Sequence, residues 1–307
     1  MIGVLHLKNL FASCGVFYKE NEPLSAHTSF RIGGPARWLV EPENAEQLIC
    51  LLSALREKDI RYFIKGNGSN LLAADEGFDG VVIELGSRFA EVRVEGSCMY
   101  AEAGALLSRI ANAALDHGLT GLEFAHGIPG SLGGAVFMNA GAYGGEMKDV
   151  VCRVTYLDSD LKVCTMTGAE AEFIYRGSIF KQHRDWVILS AEMELHPGDA
   201  EQIRELMRDL AGRRRDKQPL EYPSAGSTFK RPEGYFAAKL IEDCGLKGLQ
   251  VGGAQVSEKH SGFVINKSGA TCSDVLALCG KVYDTVMERF GVPLEREIEL
   301  LGMQEEK

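Results

Sequence analysis

Apolar residues recur at helical spacing in several stretches of the chain, with strand-like runs between them. A helix that Asn44 can cap has one apolar face, formed by Leu48, Leu51, Leu52 and Leu55. A strand-like run at 61–65 follows this helix. The pattern predicts a β-α-β unit whose second strand ends in the loop Gly66-Asn-Gly-Ser-Asn70. Open sheets usually bind ligands at such loops.

The same patterns predict the other elements. Helices are expected at 5–14, 106–117, 199–217, 237–243 and 273–290. Strands are expected at 36–40, 81–85, 90–94, 99–103, 151–157, 162–166, 186–195, 262–266 and 294–300. Asp199 and Ser273 are the predicted caps of the two longest helices. The residues predicted to face inward there are Ile203, Leu206, Met207 and Leu210, and Val275, Cys279, Val282, Val286 and Phe290.

A second glycine-rich stretch runs from 127 to 145, where seven of nineteen residues are glycine. Glycine lets the backbone adopt positive φ and lets other groups approach closely. Ordinary apolar segments flank the stretch, which favours a loop on a packed scaffold whose exposed N–H groups suit an anion such as phosphate. A purely structural turn is the alternative interpretation of a single glycine-rich segment. The presence of a second such segment makes that interpretation less favoured. The third glycine of the dinucleotide fingerprint and the P-loop lysine motif are both absent.

Composition narrows the class of protein. The 307 residues are 45% hydrophobic and 25% charged, as in globular proteins, and the net charge is −10. An acidic chain is a poor general binder of nucleic acid, so no nucleic-acid partner is expected. Within 208–231, however, seven cations face only three anions, beside a turn rich in hydroxyl groups at 222–230. That segment suits a ligand with phosphates or a carboxylate, although a solvated helix end is the simpler interpretation.

Eight scattered cysteines show no metal-ligand spacing with histidine, and no metal site is expected. They are interpreted as small buried hydrophobic residues in a reducing compartment. The first eight residues do not resemble a signal peptide, and no apolar stretch has the length of a membrane span. We therefore expect a cytoplasmic protein without membrane insertion.

Seven segments follow one another along the chain. They are Thr28-Ser-Phe-Arg-Ile-Gly-Gly34, Gly66-Asn-Gly-Ser-Asn70, Gly127-Ile-Pro-Gly-Ser-Leu-Gly-Gly134, Tyr175-Arg-Gly-Ser178, Ala225-Gly-Ser-Thr-Phe-Lys230, Val251-Gly-Gly-Ala-Gln-Val-Ser257 and Leu294-Glu-Arg-Glu-Ile298. Each segment alone is weakly specific, but the series in this order and spacing is highly specific. Together the segments resemble the UDP-N-acetylenolpyruvoylglucosamine reductase family, in its shorter branch.

The resemblance implies an α+β fold with a two-subdomain FAD-binding domain of the vanillyl-alcohol-oxidase type, followed by an α+β substrate domain. The expected divisions are 1–75 for the first FAD subdomain, to which the C-terminal strand returns, 76–200 for the second, and 201–307 for the substrate domain. The implied activity is reduction of the enolpyruvyl group of UDP-N-acetylglucosamine-enolpyruvate in peptidoglycan synthesis, with non-covalent FAD, and NADPH as co-substrate.

Site residues also follow from the resemblance. Arg176, Ser227 and Glu297 match the family's catalytic arginine, serine and glutamate. Lys217 and Lys230 would face the substrate or nicotinamide phosphates, and Tyr175 is a further expected substrate-binding residue. The two glycine-rich loops would hold the FAD diphosphate, through Gly66, Asn67, Gly68, Ser69 and Asn70, and through Gly127, Ile128, Pro129, Gly130, Ser131, Gly133, Gly134 and Ala135.

Two other functions stay open at this point. The same FAD scaffold serves oxidases that bind flavin covalently and pass electrons to oxygen. A nucleotide-sugar binding protein without redox chemistry would also use phosphate loops and a cationic segment. The set of Arg176, Ser227 and Glu297 favours the reductase.

Overall fold

This computed structural model describes residues 4–303 of the chain. Seven α-helices and eighteen β-strands lie within that range. The helices are α1 Val4–Ser13, α2 Ala45–Glu57, α3 Leu107–Asp116, α4 Leu132–Phe137, α5 Ala200–Lys217, α6 Ala237–Asp243 and α7 Cys272–Phe290. The first nine strands are β1 Phe17–Pro23, β2 Pro35–Glu41, β3 Tyr62–Lys65, β4 Leu71–Ala73, β5 Phe78–Glu84, β6 Val92–Glu95, β7 Cys98–Glu102, β8 Leu119–Thr120 and β9 Gly141–Ala142. The others are β10 Gly145–Glu146, β11 Val151–Leu157, β12 Val163–Thr167, β13 Val187–Glu194, β14 His196–Pro197, β15 Gln250–Val251, β16 Ala254–Val256, β17 Val264–Asn266 and β18 Glu299–Leu301.

These elements form two compact units. The first comprises residues 4–20, Trp38–Asn67 and Gly80–Arg213, and the second comprises Asn21–Arg37, Gly68–Asp79 and residues 214–303. Both units contain helices and strands, so the predicted α+β class is confirmed. In the described part of the chain, no helix is long and apolar enough to cross a membrane.

Two sheets share the hydrophobic core of the first unit. One has the strand order β1-β2-β5-β3, and β3 pairs with β5 in parallel, with Tyr62 opposite Val81. The other has the order β12-β11-β13-β7-β6 and is antiparallel, with Ala191 opposite Ala101. The predicted hairpin of β11 and β12 and the predicted strands β6 and β7 are therefore confirmed.

Helix α2 shows why the prediction from apolar spacing was reliable. Asn44 Oδ1 accepts the Gln47 N–H at 2.9 Å, which caps the helix as expected. The face of four leucines, Leu48, Leu51, Leu52 and Leu55, is fully buried. Burial of such side chains contributes about 1.5–3 kcal/mol each, more than any cap.

In the second unit, α6 and α7 pack with the three-stranded sheet β15-β16-β17 in one core. The N-terminal cap of helix α7 lies two residues earlier than predicted. Its cap is Thr271, whose side chain accepts from the Asp274 N–H in a capping box, whereas Ser273 Oγ donates to Asp75. Gly291 ends the helix at φ +66° as predicted.

Two predicted inward-facing residues are exposed. Leu206 in α5 is 45% exposed and Phe290 in α7 is 38% exposed. Each lies at the margin of its predicted helix face, about 40–50° from the centre at 100° per residue. Phe290 is also the last residue of α7, where Arg289 lies over its ring. Apolar spacing therefore locates the face but not its edge.

The predicted strand at 294–300 is divided between two partners. Residue Arg296 forms an isolated bridge with Phe229, and only Glu299–Leu301 forms a strand, which pairs in parallel with Leu71–Ala73. Alternating side chains over 294–300 predicted extended backbone correctly. They could not show that the hydrogen-bond partner changes within the segment.

The interpretation of all eight cysteines as buried hydrophobic residues is wrong. Cys14, just after α1, and Cys50, inside α2, form a disulfide, and Cys50 is exposed. Their separation of 36 residues gave no spacing signal. Cys272 and Cys279 do fit the interpretation, because burial raises the pKa of each thiol to about 12.

Two glycines, Gly280 inside α7 and Gly291 at its C-terminal cap, give a matched pair for testing the fold. Gly280 lies in the helix interior with open space around a hypothetical Cβ, so Gly280→Ala should raise the free energy of unfolding by about 0.5–1 kcal/mol. Gly291→Ala should lower it by about 1 kcal/mol because φ there is positive. Urea unfolding followed by circular dichroism measures both. Stabilisation by both variants would contradict the left-handed cap.

Candidate functional site

The two glycine-rich loops meet in the first unit, at Gly66 and Ser131. Gly66 follows β3 and Ser131 precedes α4. A Cβ on Gly66 would lie only 2.1 Å from Ser131 Oγ, so this approach requires glycine. The Asn67 N–H donates to Ser131 Oγ at 3.3 Å, and Asn67 Nδ2 donates to the Pro129 carbonyl at 2.6 Å. Direct hydrogen bonds therefore join the two loops.

The start of α4 is fixed against the segment between β7 and α3. The Leu132 N–H donates to the Ala105 carbonyl and the Gly133 N–H to the Ala103 carbonyl, both at 2.8 Å. A Cβ on Gly133 would lie 3.0 Å from Ala103 Cβ. Backbone hydrogen bonds to a packed segment thus determine the shape of the loop.

Three backbone donors remain where the loops meet. Within residues 4–303, the N–H groups of Gly66, Ser131 and Gly134 donate to no protein acceptor. Ser131 is buried, and an unpaired buried N–H is costly. Around Gly134, a Cβ would meet nothing within 4 Å, so there is space beside this donor. The arrangement suits an external acceptor such as a phosphate oxygen.

The other predicted cofactor residues of this unit lie in the same two loops. They are Asn67, Gly127, Ile128, Pro129, Gly130, Gly133 and Ala135. The remaining predicted residues, Gly68–Asn70, belong to the second unit. There the Ser29 N–H donates to the Gly68 carbonyl at 3.2 Å, and Ser29 Oγ donates to the Ser69 carbonyl at 3.3 Å. Gly68 has φ +67°, which accounts for glycine at that position.

The second unit brings Ser227 and Glu297 onto adjoining segments. The Glu297 N–H donates to the Thr228 carbonyl at 2.9 Å, and Asn70 Nδ2 donates to the Glu297 carbonyl at 3.0 Å. Glu297 is 8% exposed. The Ser227 hydroxyl is half-buried and has no hydrogen-bond partner among residues 4–303. These contacts fix the backbone of both predicted catalytic residues.

The two predicted lysines differ in setting. Lys230 Nζ forms an ion pair with Glu295, and its N–H donates to the Glu295 carbonyl at 2.8 Å. Because Glu295 is largely exposed, water screens this pair strongly. Lys217, the last residue of α5, is exposed. The side chain of Lys230 is therefore held by its contact with Glu295, whereas the side chain of Lys217 is exposed at the end of α5.

Arg176 lies in a tight turn of the first unit. Ile174 and Gly177 exchange backbone hydrogen bonds of 3.0 and 3.2 Å, and Arg176 between them has φ +55°. Positive φ is uncommon for arginine and persists only where the surroundings impose it. The guanidinium carbon lies 5.2 Å from the centre of the exposed Tyr175 ring. The turn thus holds Arg176 in a specific backbone conformation.

Sequence reasoning missed Lys65, the last residue of β3. It is 5% exposed, and its Nζ donates to the Gly66 carbonyl at 2.9 Å and pairs with Glu84. Burial lowers the pKa of Lys65, and the Glu84 carboxylate opposes that shift. The pair orients the first peptide of the loop. A lone charge at the end of an apolar strand was the available signal.

An open groove of about 640 Å³ also lies in the first unit, lined in part by Lys148, Cys152 and Phe173. It contains none of the predicted site residues. Burial raises the pKa of the Cys152 thiol, which donates to the Glu192 carbonyl, so this thiol is a poor nucleophile.

Comparisons with known proteins decide the family. Residues 36–167 match the family model of an FAD binding domain, and residues 218–301 match that of the C-terminal domain of UDP-N-acetylenolpyruvoylglucosamine reductase. A protein of that name from Caldanaerobacter subterraneus subsp. tengcongensis is 55% identical over 92% of this chain and 93% of its own length. The chain belongs to the UDP-N-acetylenolpyruvoylglucosamine reductase family.

Further relatives agree. A protein of the same name from Clostridium perfringens is 51% identical over 94% of this chain and 96% of its own. The crystal structure of the reductase from Thermus caldophilus matches with a TM-score of 0.78 and 35% identity, covering 93% of this chain and 98% of that one. The chain is therefore a flavin-dependent oxidoreductase, and the predicted FAD-binding fold is confirmed. The roles of individual residues and the divisions at 75 and 200 stay predictions.

The meeting of the two loops predicts opposite outcomes for two glycine variants. Gly66→Ala should lower the free energy of unfolding of the apoprotein by about 1–3 kcal/mol, because the new Cβ overlaps Ser131 Oγ. Gly134→Ala, the matched control in the other loop, should leave it unchanged or raise it by up to about 1 kcal/mol. Urea unfolding of both apoproteins measures this. Equal losses would contradict the described approach.

Proposed function

We propose that the chain reduces the enolpyruvyl group of UDP-N-acetylglucosamine-enolpyruvate to give UDP-N-acetylmuramate, in the cytoplasm, with NADPH as electron donor. The observation that carries the proposal is the set of N–H groups at Gly66, Ser131 and Gly134 that have no acceptor within the described part of the chain. All three residues lie inside the segment that matches the FAD binding domain family. The reaction is proposed from family membership, and these donors are the proposed binding site for the cofactor.

The residues present fit a non-covalently bound FAD. Its diphosphate needs several donors, and backbone N–H groups supply them without side chains. In a chain of net charge −10, such local donors are required for an anion. When bound, FAD supplies the hydride chemistry between NADPH and the enolpyruvyl carbon. In the second unit, Gly68–Asn70 is the matching candidate, since its backbone is fixed by Ser29.

Arg176 is suited to stabilise the negative charge that develops on the substrate carboxylate and enolate. Its guanidinium is always charged and offers paired donors in a fixed plane. A fixed donor stabilises a transition state better than a mobile one, because no reorganisation is needed when charge develops. The tight turn at Ile174–Gly177 provides such fixation for the backbone. Its neighbour Tyr175 is exposed.

Ser227 is the proposed proton donor to the carbon next to the reduced one. Its hydroxyl makes no hydrogen bond to the described residues and can turn toward a substrate. A serine hydroxyl is a weak acid, so a cation or a relayed proton must stabilise the alkoxide as the proton leaves. Glu297 is proposed to position or polarise the same end of the substrate. Its backbone bonds to Thr228 and Asn70 support that role.

Lys217 and Lys230 are proposed to meet the phosphates of the nucleotide sugar or of NADPH. Lys230 would exchange its exposed Glu295 partner for a phosphate, at little cost because such ion pairs are weak. Lys217 is exposed at the end of α5 and would move freely toward a ligand. Both would add local positive charge to an acidic chain.

Anaerobic spectroscopy of Ser227→Ala separates the two halves of the reaction. The variant should bind flavin and be bleached by NADPH at the wild-type rate. Recovery of the flavin bands with the enolpyruvyl substrate should slow by about 10²–10⁴-fold, because only that half-reaction needs the proton donor. Stopped-flow absorbance measures both phases.

Ser268→Ala is the matched control, since Ser268 is an exposed serine of the same unit. Normal recovery in Ser227→Ala would contradict the proposed proton donor. Wild-type bands that return only with air would indicate an oxidase. A wild-type protein that binds UDP sugars but no flavin would contradict the reductase altogether.

A further inference from the structure

Asn139, just beyond α4, is fully buried and has φ +45°. A buried amide must satisfy two donors and an acceptor, and a left-handed backbone adds strain that few residues other than glycine and asparagine tolerate. Neither the buried amide nor the left-handed backbone contributes to hydrophobic packing. Such a residue needs an explanation in terms of what it holds.

The Asn139 amide joins three segments of the first unit. Its Nδ2 donates to Glu146 Oε2 at 2.9 Å and to the Ile174 carbonyl at 3.0 Å. Its Oδ1 accepts the Lys148 N–H at 3.0 Å. One of these partners, Ile174, opens the turn that carries Arg176. The amide therefore binds the turn at its first residue.

A second contact binds the other end of the turn to the same helix. Ser178, directly after the turn, is buried, and its Oγ donates to the Phe137 carbonyl at 2.7 Å. Phe137 is the last residue of α4. The turn is thus attached to the C-terminal end of α4 on both sides, and α4 begins at the glycine-rich loop of Ser131.

Charge links the same groups. Glu146 forms an ion pair with Lys148 at 2.8 Å. The pKa of Glu146 is lowered first by its hydrogen bond to Lys148, then by that from Asn139, and also by the positive charge of Arg176. Glu146 is therefore ionised at neutral pH, and its field reaches the guanidinium.

We propose that Asn139 is a positioning residue for Arg176, acting through the Ile174 carbonyl and the Glu146 carboxylate. The inference rests on the proposed function, in which Arg176 stabilises charge on the substrate. Asparagine suits the position because its NH₂ group serves two acceptors while its oxygen receives the Lys148 N–H. Aspartate would set a negative oxygen against Glu146 and a carbonyl.

Asn139→Ala tests the inference by half-reactions. Flavin binding and the rate of bleaching by NADPH should stay within about threefold of wild type. Recovery with the enolpyruvyl substrate should slow by about 100-fold, the effect of misplacing a catalytic group by about 1 Å. Because Asn139 acts through Arg176, the double variant Asn139→Ala with Arg176→Ala should be no slower than Arg176→Ala alone.

The outcomes distinguish the two proposals. If Arg176→Ala alone recovers at the wild-type rate, the proposed role of Arg176 fails. If Arg176→Ala is slow but Asn139→Ala recovers normally, or if their losses multiply in the double variant, the positioning role is overturned while the proposed function stands.

Glu146 provides a second test that does not disturb a fully buried residue. Glu146→Gln and Glu146→Ala both remove the charge, but only glutamine keeps an acceptor for the Asn139 amide. Recovery should be about 3–10-fold slower in Glu146→Ala than in Glu146→Gln, because alanine offers no acceptor to the Asn139 amide or to the Asp149 N–H, which the Glu146 side chain also accepts. Equal recovery rates in the two variants would overturn the link through Glu146.

Discussion

The approach of Gly66 to Ser131 is the constraint on which the site in the first unit depends. One added carbon at Gly66 would overlap the serine hydroxyl, so this close approach of the two loops requires glycine unless a group shifts. Where they meet, three N–H groups have no acceptor among residues 4–303. The second loop continues into α4, and the end of α4 holds the turn of Arg176. A short helix thus connects the candidate anion-binding loop with the turn that carries the predicted catalytic arginine.

Charge in this acidic chain is balanced locally. The predicted cofactor loops offer backbone donors, whereas two lysine side chains have carboxylate partners, as Lys65 has Glu84 and Lys230 has Glu295. Such partners lower the cost of desolvating a cation and keep it oriented. The buried pair at Lys65 orients a peptide of the loop. The exposed pair at Lys230 can exchange its partner for a ligand.

Apolar spacing predicted the elements well because burial of a whole face dominates their energetics, as at α2. The glycine-rich loops were predictable for a similar reason: each needs glycine where groups approach closely. Asn139 was not predicted, although it lies within the glycine-rich stretch. Its role depends on partners 7 and 35 residues away that only tertiary packing brings together. The bridge between Phe229 and Arg296 and the Cys14–Cys50 disulfide escaped prediction for the same reason.

Amide hydrogen exchange with and without FAD tests the central claim most directly, since it reports on each loop separately. Peptides covering 66–67 and 127–134 should exchange roughly tenfold slower or more when FAD is bound, because their N–H groups gain acceptors. Peptides from the face of α2 should show no change. Unchanged exchange in both loops, in a protein that demonstrably binds FAD, would contradict the assignment of these donors to the cofactor.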